Sequence, residues 1–218
     1  DFRFRHFSVE DGLSSNSVRA IMQDKYGFLW IGTEEGLNRY DGIMIKSYSI
    51  CPQAAGKYIS SLYGTKKNIW IGTDEGIYIY AYATETFTYF DLTTPNNVRI
   101  TSIVNHILQD KDGNLWFSTN GQGLFRYNLS KNYLEQYEFT SAFGIVASTM
   151  ADSDNQIWAL TNQGESGVYK LNKAENKFEP FGLLYNAGNH HSQALAMLED
   201  SEQTLWLGTW ECGLTKNR

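Results

Sequence analysis

Cysteine, proline and long apolar runs are the scarcest features of this 218-residue chain, and each scarcity excludes something. Two cysteines, Cys51 and Cys212, cannot build a disulfide framework, and their spacing suits no metal motif. Three prolines rule out a proline-rich linker. No apolar run approaches the roughly 20 residues of a membrane-spanning helix, so no direct membrane insertion is expected. Positive charge is also short: 18 basic against 24 acidic residues give a net charge of −6, which argues against a nucleic-acid surface. The first residues, Asp1-Phe2-Arg3-Phe4-Arg5, do not form a signal peptide. No long stretch has the 3.6-residue apolar period of a helix.

Aromatic residues are abundant, at 14 Tyr, 12 Phe and 6 Trp, and five of the tryptophans recur in one motif. Trp30-Ile31-Gly32-Thr33 returns as Trp70-Ile71-Gly72-Thr73, Trp116-Phe117-Ser118-Thr119, Trp158-Ala159-Leu160-Thr161 and Trp206-Leu207-Gly208-Thr209. The spacings of 40, 46, 42 and 48 residues mark a repeat architecture. Each repeat reads as four short strands, a to d, separated by turn signals. In the first repeat these are Ser17–Gln23, Phe28–Thr33, Gly36–Tyr40 and Met44–Ser49. An aspartate opens the a–b turn in every repeat but the second, and a glycine ends each b–c turn. Ten residues before each tryptophan stand Ala20, Ser60, His106, Ser148 and Ala196, small except His106; two further on stand Met22, Leu62, Leu108, Met150 and Leu198.

The pattern predicts a single all-β domain over 1–218, a β-propeller of five blade units at about 17–50, 58–91, 101–139, 145–182 and 193–218. The last unit ends in strand c, and Phe4-Arg5-His6-Phe7 fits the strand-d pattern, so residues 2–8 are expected to supply the outer strand of the last blade. The alternative is an open five-blade arc taken from a larger ring.

The combination of Gly12-Leu13-Ser14, Gln23-Asp24, GFLWIGT and GLNRYDG resembles the two-component regulator propeller repeat, strongly in the first repeat and more loosely in the second and fourth. That resemblance implies the periplasmic sensor region of a Bacteroides-type hybrid two-component system, one that recognises an oligosaccharide and signals through partner domains. It also implies that the larger ring of the open-arc alternative has about seven blades, and self-association or packing on other propeller and sensor domains of the receptor. The chain has no membrane span, kinase motif or helix-turn-helix, and is expected to be a sensor fragment or a short stand-alone relative.

No catalytic constellation is present, so the chain is expected not to be an enzyme and to need no cofactor. Adjacent His190 and His191 point to opposite sides of an extended segment, which disfavours a shared metal. Asp110-Lys111-Asp112-Gly113 resembles half of a calcium loop but sits where the other repeats carry a hairpin turn. No metal site is expected. The b–c turns and d–a connections of a propeller share one face, which makes it the expected ligand face. Trp210 is the sharpest candidate there, because it stands outside the repeated column and can stack on a sugar ring. Glu34, Glu35, Asn120, Gln122, His190 and His191 supply hydrogen-bonding groups on the same face. Arg19 and His106 break the strand-a pattern with polar groups and complete the expected set. A protein–protein scaffold with no small-molecule site is the alternative reading.

Overall fold

The computed structural model describes residues 4–50, 57–139, 144–161, 167–181, 194–209 and 213–217. Cys51 and Cys212 lie outside them. The chain forms two compact units, Asp1–Asp91 and Leu92–Arg218.

The first unit holds two four-stranded antiparallel meanders. One is β1 (Val18–Gln23), β2 (Leu29–Thr33), β3 (Gly36–Tyr40) and β4 (Ile45–Tyr48); the other is β5 (Ile59–Gly64), β6 (Asn68–Thr73), β7 (Gly76–Ala81) and β8 (Thr86–Tyr89). The second unit holds three sheets. They are β9 (Val104–Gln109), β10 (Leu115–Thr119), β11 (Leu124–Asn128) and β12 (Tyr133–Tyr137); β13 (Val146–Ala151), β14 (Ile157–Thr161), β15 (Val168–Asn172) and β16 (Lys177–Pro180); and β17 (Ala194–Glu199), β18 (Leu205–Thr209) and β19 (Gly213–Asn217). The strands of the first repeat match the sequence expectation to within a residue at each end.

The repeated tryptophan is the centre of a row that crosses each sheet. In the first sheet the row is Met22, Trp30, Arg39 and Lys46. In the third it is Leu108, Trp116, Arg126 and Glu135, and in the fourth Met150, Trp158, Lys170 and Glu179. Residues in register on one face of neighbouring strands lie side by side, so the long cation lies along the indole. The Arg126 guanidinium sits 5.6 Å from the Trp116 ring and the Lys170 ammonium 5.2 Å from Trp158. The sheet that follows covers the indole. Trp30 packs with Ile59, Ile69 and Ile71, Trp116 with Val146 and Ile157, and Trp158 with Ala194 and Leu207. This burial of large apolar faces holds the sheets of each unit together. The close approach needs a glycine in the first sheet: a Cβ on Gly32 would lie 2.5 Å from the Ile59 Cγ2.

Two expectations are corrected here. In the second sheet, Ser61 and Tyr63 face Gly72 and Trp70, where counting back from the tryptophan assigns Ser60 and Leu62. The a–b turn is one residue shorter in this sheet. Thr65 N–H bonds to Asn68 O, three residues on, where Asp24 N–H reaches Phe28 O, four residues on.

The second correction concerns the chain start. Residues 4–8 form no strand, and the last sheet has three strands among the described residues. The side chains of Phe7 and Arg5 are engaged on the first sheet: the Phe7 ring lies 4.8 Å from Tyr40, and Arg5 Nη1 donates to the Tyr40 hydroxyl. Ser8 then caps a single 3-10 turn, Val9–Asp11, through a reciprocal bond with Asp11, which ends any extended run.

Candidate functional site

The turns explain which recurring letters of the repeat are scaffold. Asp24 is buried and accepts three N–H bonds: Tyr26 N and Phe28 N on Oδ1 at 2.9 and 3.0 Å, and Trp30 Nε1 on Oδ2 at 2.8 Å. Asp110, Asp152 and Asp200 clasp Trp116, Trp158 and Trp206 in the same way, at 2.8, 2.8 and 2.6 Å. The aspartate thus closes its turn and fixes the tryptophan six residues on. The calcium-loop resemblance at Asp110 is this clasp, since its Oδ2 is occupied by Trp116 and Asn114. In four of the repeats the threonine ties down the b–c turn: Thr33 Oγ1 donates to Gly36 O at 3.0 Å and accepts from Glu35 N at 3.2 Å, and Thr73, Thr119 and Thr209 donate in the same way.

Of the residues expected on the b–c face, Arg19, Glu34 and Glu35 belong to the first unit and His106, Asn120 and Gln122 to the second. Trp210, His190 and His191 lie outside the described residues. Arg19 and Glu34 are occupied by each other in an exposed ion pair. The Arg19 hydrogen bond, and then its charge, hold the Glu34 carboxyl below its usual range. Glu35 and Asn120 are exposed. Gln122 is a structural clamp: its Oε1 accepts Thr101 N and Ser102 N, and its Nε2 donates to Arg99 O.

His106 is half-buried on β9, opposite Ser118, and its Nδ1 accepts the Thr149 N–H at 3.4 Å. Burial lowers its pKa below the usual value. A histidine whose folded pKa is depressed contributes stability that is complete above the unfolded value, about 6.5, and declines as pH falls through it. We therefore expect the urea midpoint to drop more between pH 7.5 and 5.5 in the native chain than in His106→Gln. Equal drops in the two proteins would show that His106 titrates freely.

A pocket assembles at the opposite end of the strands, inside the first unit. The a–b turn of the first sheet and the β7–β8 turn of the second enclose a pocket of about 240 Å³. Its wall is aromatic: Tyr26, Phe28, Trp30, Tyr80 and Tyr82 line it together with Asp24, Arg39 and Glu85. Tyr26 and Tyr82 meet edge to face at 5.4 Å, and the Lys25 ammonium sits 4.7 and 4.6 Å from their rings. The Tyr82 hydroxyl is buried with no hydrogen-bond partner among the described residues. Burial, reinforced by the Asp24 charge, pushes its pKa up to about 12, so it is a neutral donor at physiological pH. A buried hydroxyl without a partner is costly, by about 1–3 kcal/mol, and is relieved when a ligand supplies an acceptor. Sequence reasoning missed this site because it joins two repeats. Its one local signal is Tyr26, an exposed aromatic at a turn position that holds Lys, Asp or Glu in the other repeats.

Comparisons with known proteins fit this architecture. The family model described as two component regulator propeller matches residues 12–35 and 97–121. A stretch of 53 residues, 24% of this chain and 4% of the relative, is 49% identical to histidine kinase P4 of Formosa agariphila. Among solved structures, the extracellular domain of the one component system BT4673 from B. thetaiotaomicron has a TM-score of 0.73 at 21% identity, over 92% of this chain and 29% of its own. The extracellular domain of the hybrid two component system BT3049 from the same organism has a TM-score of 0.59 at 23% identity, over 97% and 35%. Virginiamycin B lyase from Staphylococcus aureus shares the fold as well, with a TM-score of 0.68 at 17% identity, over 93% and 70%. The chain spans about a third of the length of the two extracellular domains. It is an all-β chain with a propeller fold, and two stretches of it match the two-component regulator propeller model.

Proposed function

We propose that this chain is part of the periplasmic sensor region of a hybrid two-component receptor, and that it recognises a carbohydrate-derived ligand without chemically changing it. The family of the repeats, the stretch shared with a histidine kinase and the likeness to extracellular domains of such systems support the sensor half of this reading. The observation that carries the ligand half is the aromatic pocket of the first unit with its unpartnered Tyr82 hydroxyl. Aromatic faces offer a platform to the C–H face of a sugar ring, and a few convergent polar groups fix its orientation. The volume suits one ring with a substituent rather than a long chain. Asp24 is no candidate acid or base, since its oxygens hold three N–H groups of the scaffold. Binding signals only by favouring one geometry of the parent receptor over another, through partner domains or a second copy.

Isothermal titration against a panel of oligosaccharides tests this reading. One member is expected to bind, and Tyr82→Phe, which keeps the ring and removes the hydroxyl, is expected to weaken that binding about 10-fold. If no member binds and the chain self-associates, the scaffold reading takes its place. One observation favours that second reading. On the last sheet, Leu198 and Leu214 are 64% and 66% exposed on the face that carries Trp206, a face each indole of the first, third and fourth sheets has covered.

A further inference from the structure

The tryptophan row differs between repeats at its outer end, and the difference falls beside the pocket. In the third sheet the cation over the indole is neutralised by its neighbour on the outer strand: Arg126 Nη2 donates to Glu135 Oε2 at 2.5 Å. In the fourth sheet Glu179 stands opposite Lys170 in the same register. In the first sheet the residue opposite Arg39 is Lys46. Two cations directly opposite each other on neighbouring strands repel, so the arrangement costs stability where its equivalents gain it. Arg39 itself lines the pocket and has no hydrogen bond or ion pair among the described residues. Its guanidinium lies 4.5 Å from the Phe28 ring, 5.5 Å from Tyr48 and 5.8 Å from Trp30. Lys46 is exposed, with its ammonium 4.9 Å from the same Tyr48 ring. The one acidic side chain on the pocket wall besides the occupied Asp24 is Glu85, on the second sheet's β7–β8 turn, and no ion pair joins it to Arg39.

We propose that Arg39 on the pocket wall, with Lys46 opposite it on β4 beside the pocket, forms an oxyanion subsite and that the recognised saccharide carries a carboxylate, as a uronate ring does. The inference rests on the reading of the pocket as a sugar site and adds the charge of its occupant. A guanidinium that sits among aromatic rings and makes no hydrogen bond to them keeps its N–H groups available, and that fork matches the two oxygens of a planar carboxylate. Lys46 supplies a second positive charge in place of the acid that neutralises the equivalent cation in the third sheet. The aromatic wall takes the ring face and the Tyr82 hydroxyl donates to a ring oxygen. Arg39 feels the charge of Asp41, whose carboxylate is taken up by Ile43 N and Met44 N, but neither Arg39 nor Lys46 has an ion-pair partner among the described residues, and that is the feature a ligand carboxylate would satisfy.

The test is a titration of the chain with D-glucuronate, D-galacturonate and D-mannuronate, each set against its neutral parent: glucose, galactose or mannose. At least one uronate is expected to bind 10-fold or more tighter than its parent. Lys46→Glu restores the arrangement of the third and fourth sheets. It is expected to reduce that preference to within about 2-fold while leaving the urea midpoint equal or higher. Lys46→Gln, which removes the charge without adding an acid, is expected to fall between. If a uronate and its parent bind equally, the oxyanion subsite is wrong and the sugar site stands. If the preference survives Lys46→Glu in a folded protein, the charge pair is not its source. If none of the six sugars binds, both readings fall.

Discussion

Replacing Asp110 by alanine is expected to destabilise the chain by about 3 kcal/mol, far more than its place in a surface turn suggests. The carboxylate is buried at 7% exposure and accepts from Asn114 N, Asn114 Nδ2 and Trp116 Nε1, at 2.8, 2.9 and 2.8 Å. Alanine removes these charge-assisted bonds and leaves the indole N–H of a tryptophan that is 1% exposed without an acceptor. Such bonds are worth about 1.5–3 kcal/mol each, and an orphaned buried donor costs about 1–3 kcal/mol, partly the same energy counted from the other side. Asp112 in the same turn is the control. Among the described residues its carboxylate accepts only Asn155 Nδ2, in an exposed bond, so Asp112→Ala is expected to cost well under ~1 kcal/mol. Urea denaturation of both variants checks the contrast. Similar losses would mean that the turn, not the clasp on Trp116, is what matters.

Gly123→Ala is expected to cost about 4 kcal/mol, the sum of two penalties. The residue has φ +77°, where an L side chain is strained, and its Cβ would lie 2.3 Å from the Tyr137 carbonyl oxygen. That oxygen belongs to backbone, so relief requires β11 and β12 to part at the Leu124–Tyr137 pair. Left-handed strain of roughly 1–2 kcal/mol and a forced backbone shift of roughly 1–3 kcal/mol both apply. Gly113 isolates the first penalty. Its φ is +84° and a Cβ placed there would meet nothing within 4 Å, so Gly113→Ala is expected to cost only about 1–2 kcal/mol. Urea midpoints of the two variants make the comparison, and equal costs at the two glycines would remove the steric argument.

These effects show what was legible in the sequence. The Trp-x-x-Thr period marked all five sheets, and Thr33, Thr73, Thr119 and Thr209 each donate to the carbonyl of the glycine that ends their turn. The turn aspartate was visible as a turn former. Its bond to the tryptophan six residues on was not, because that bond depends on how the turn folds back over β2, β10, β14 or β18. Counting back from Trp70 misplaced Ser61 and Tyr63 by one position, since a count assumes turns of constant length. The N-terminal strand was inferred from an apolar-x-x-aromatic pattern that Phe4 and Phe7 satisfy, yet Phe7 is engaged on Tyr40.

The candidate site was the least legible. Its walls come from Tyr26 and Arg39 in one repeat and Tyr80 and Tyr82 in the next, at the end of the strands away from the variable b–c turns. Nothing in the sequence sets Arg39 apart from Arg126 or Lys170; the register does, by placing Lys46 rather than an acid beside it.

The most direct test of the pocket as the ligand site follows the six indole N–H resonances while the isotopically labelled chain is titrated with a saccharide that binds. Trp30 lines the pocket, and its N–H is held by Asp24, itself part of the wall. The Trp30 resonance, assigned with Trp30→Phe, is expected to shift most, and the Trp210 resonance to stay still. A shift confined to Trp210, with Trp30 unmoved, would contradict the pocket and return the ligand to the b–c face.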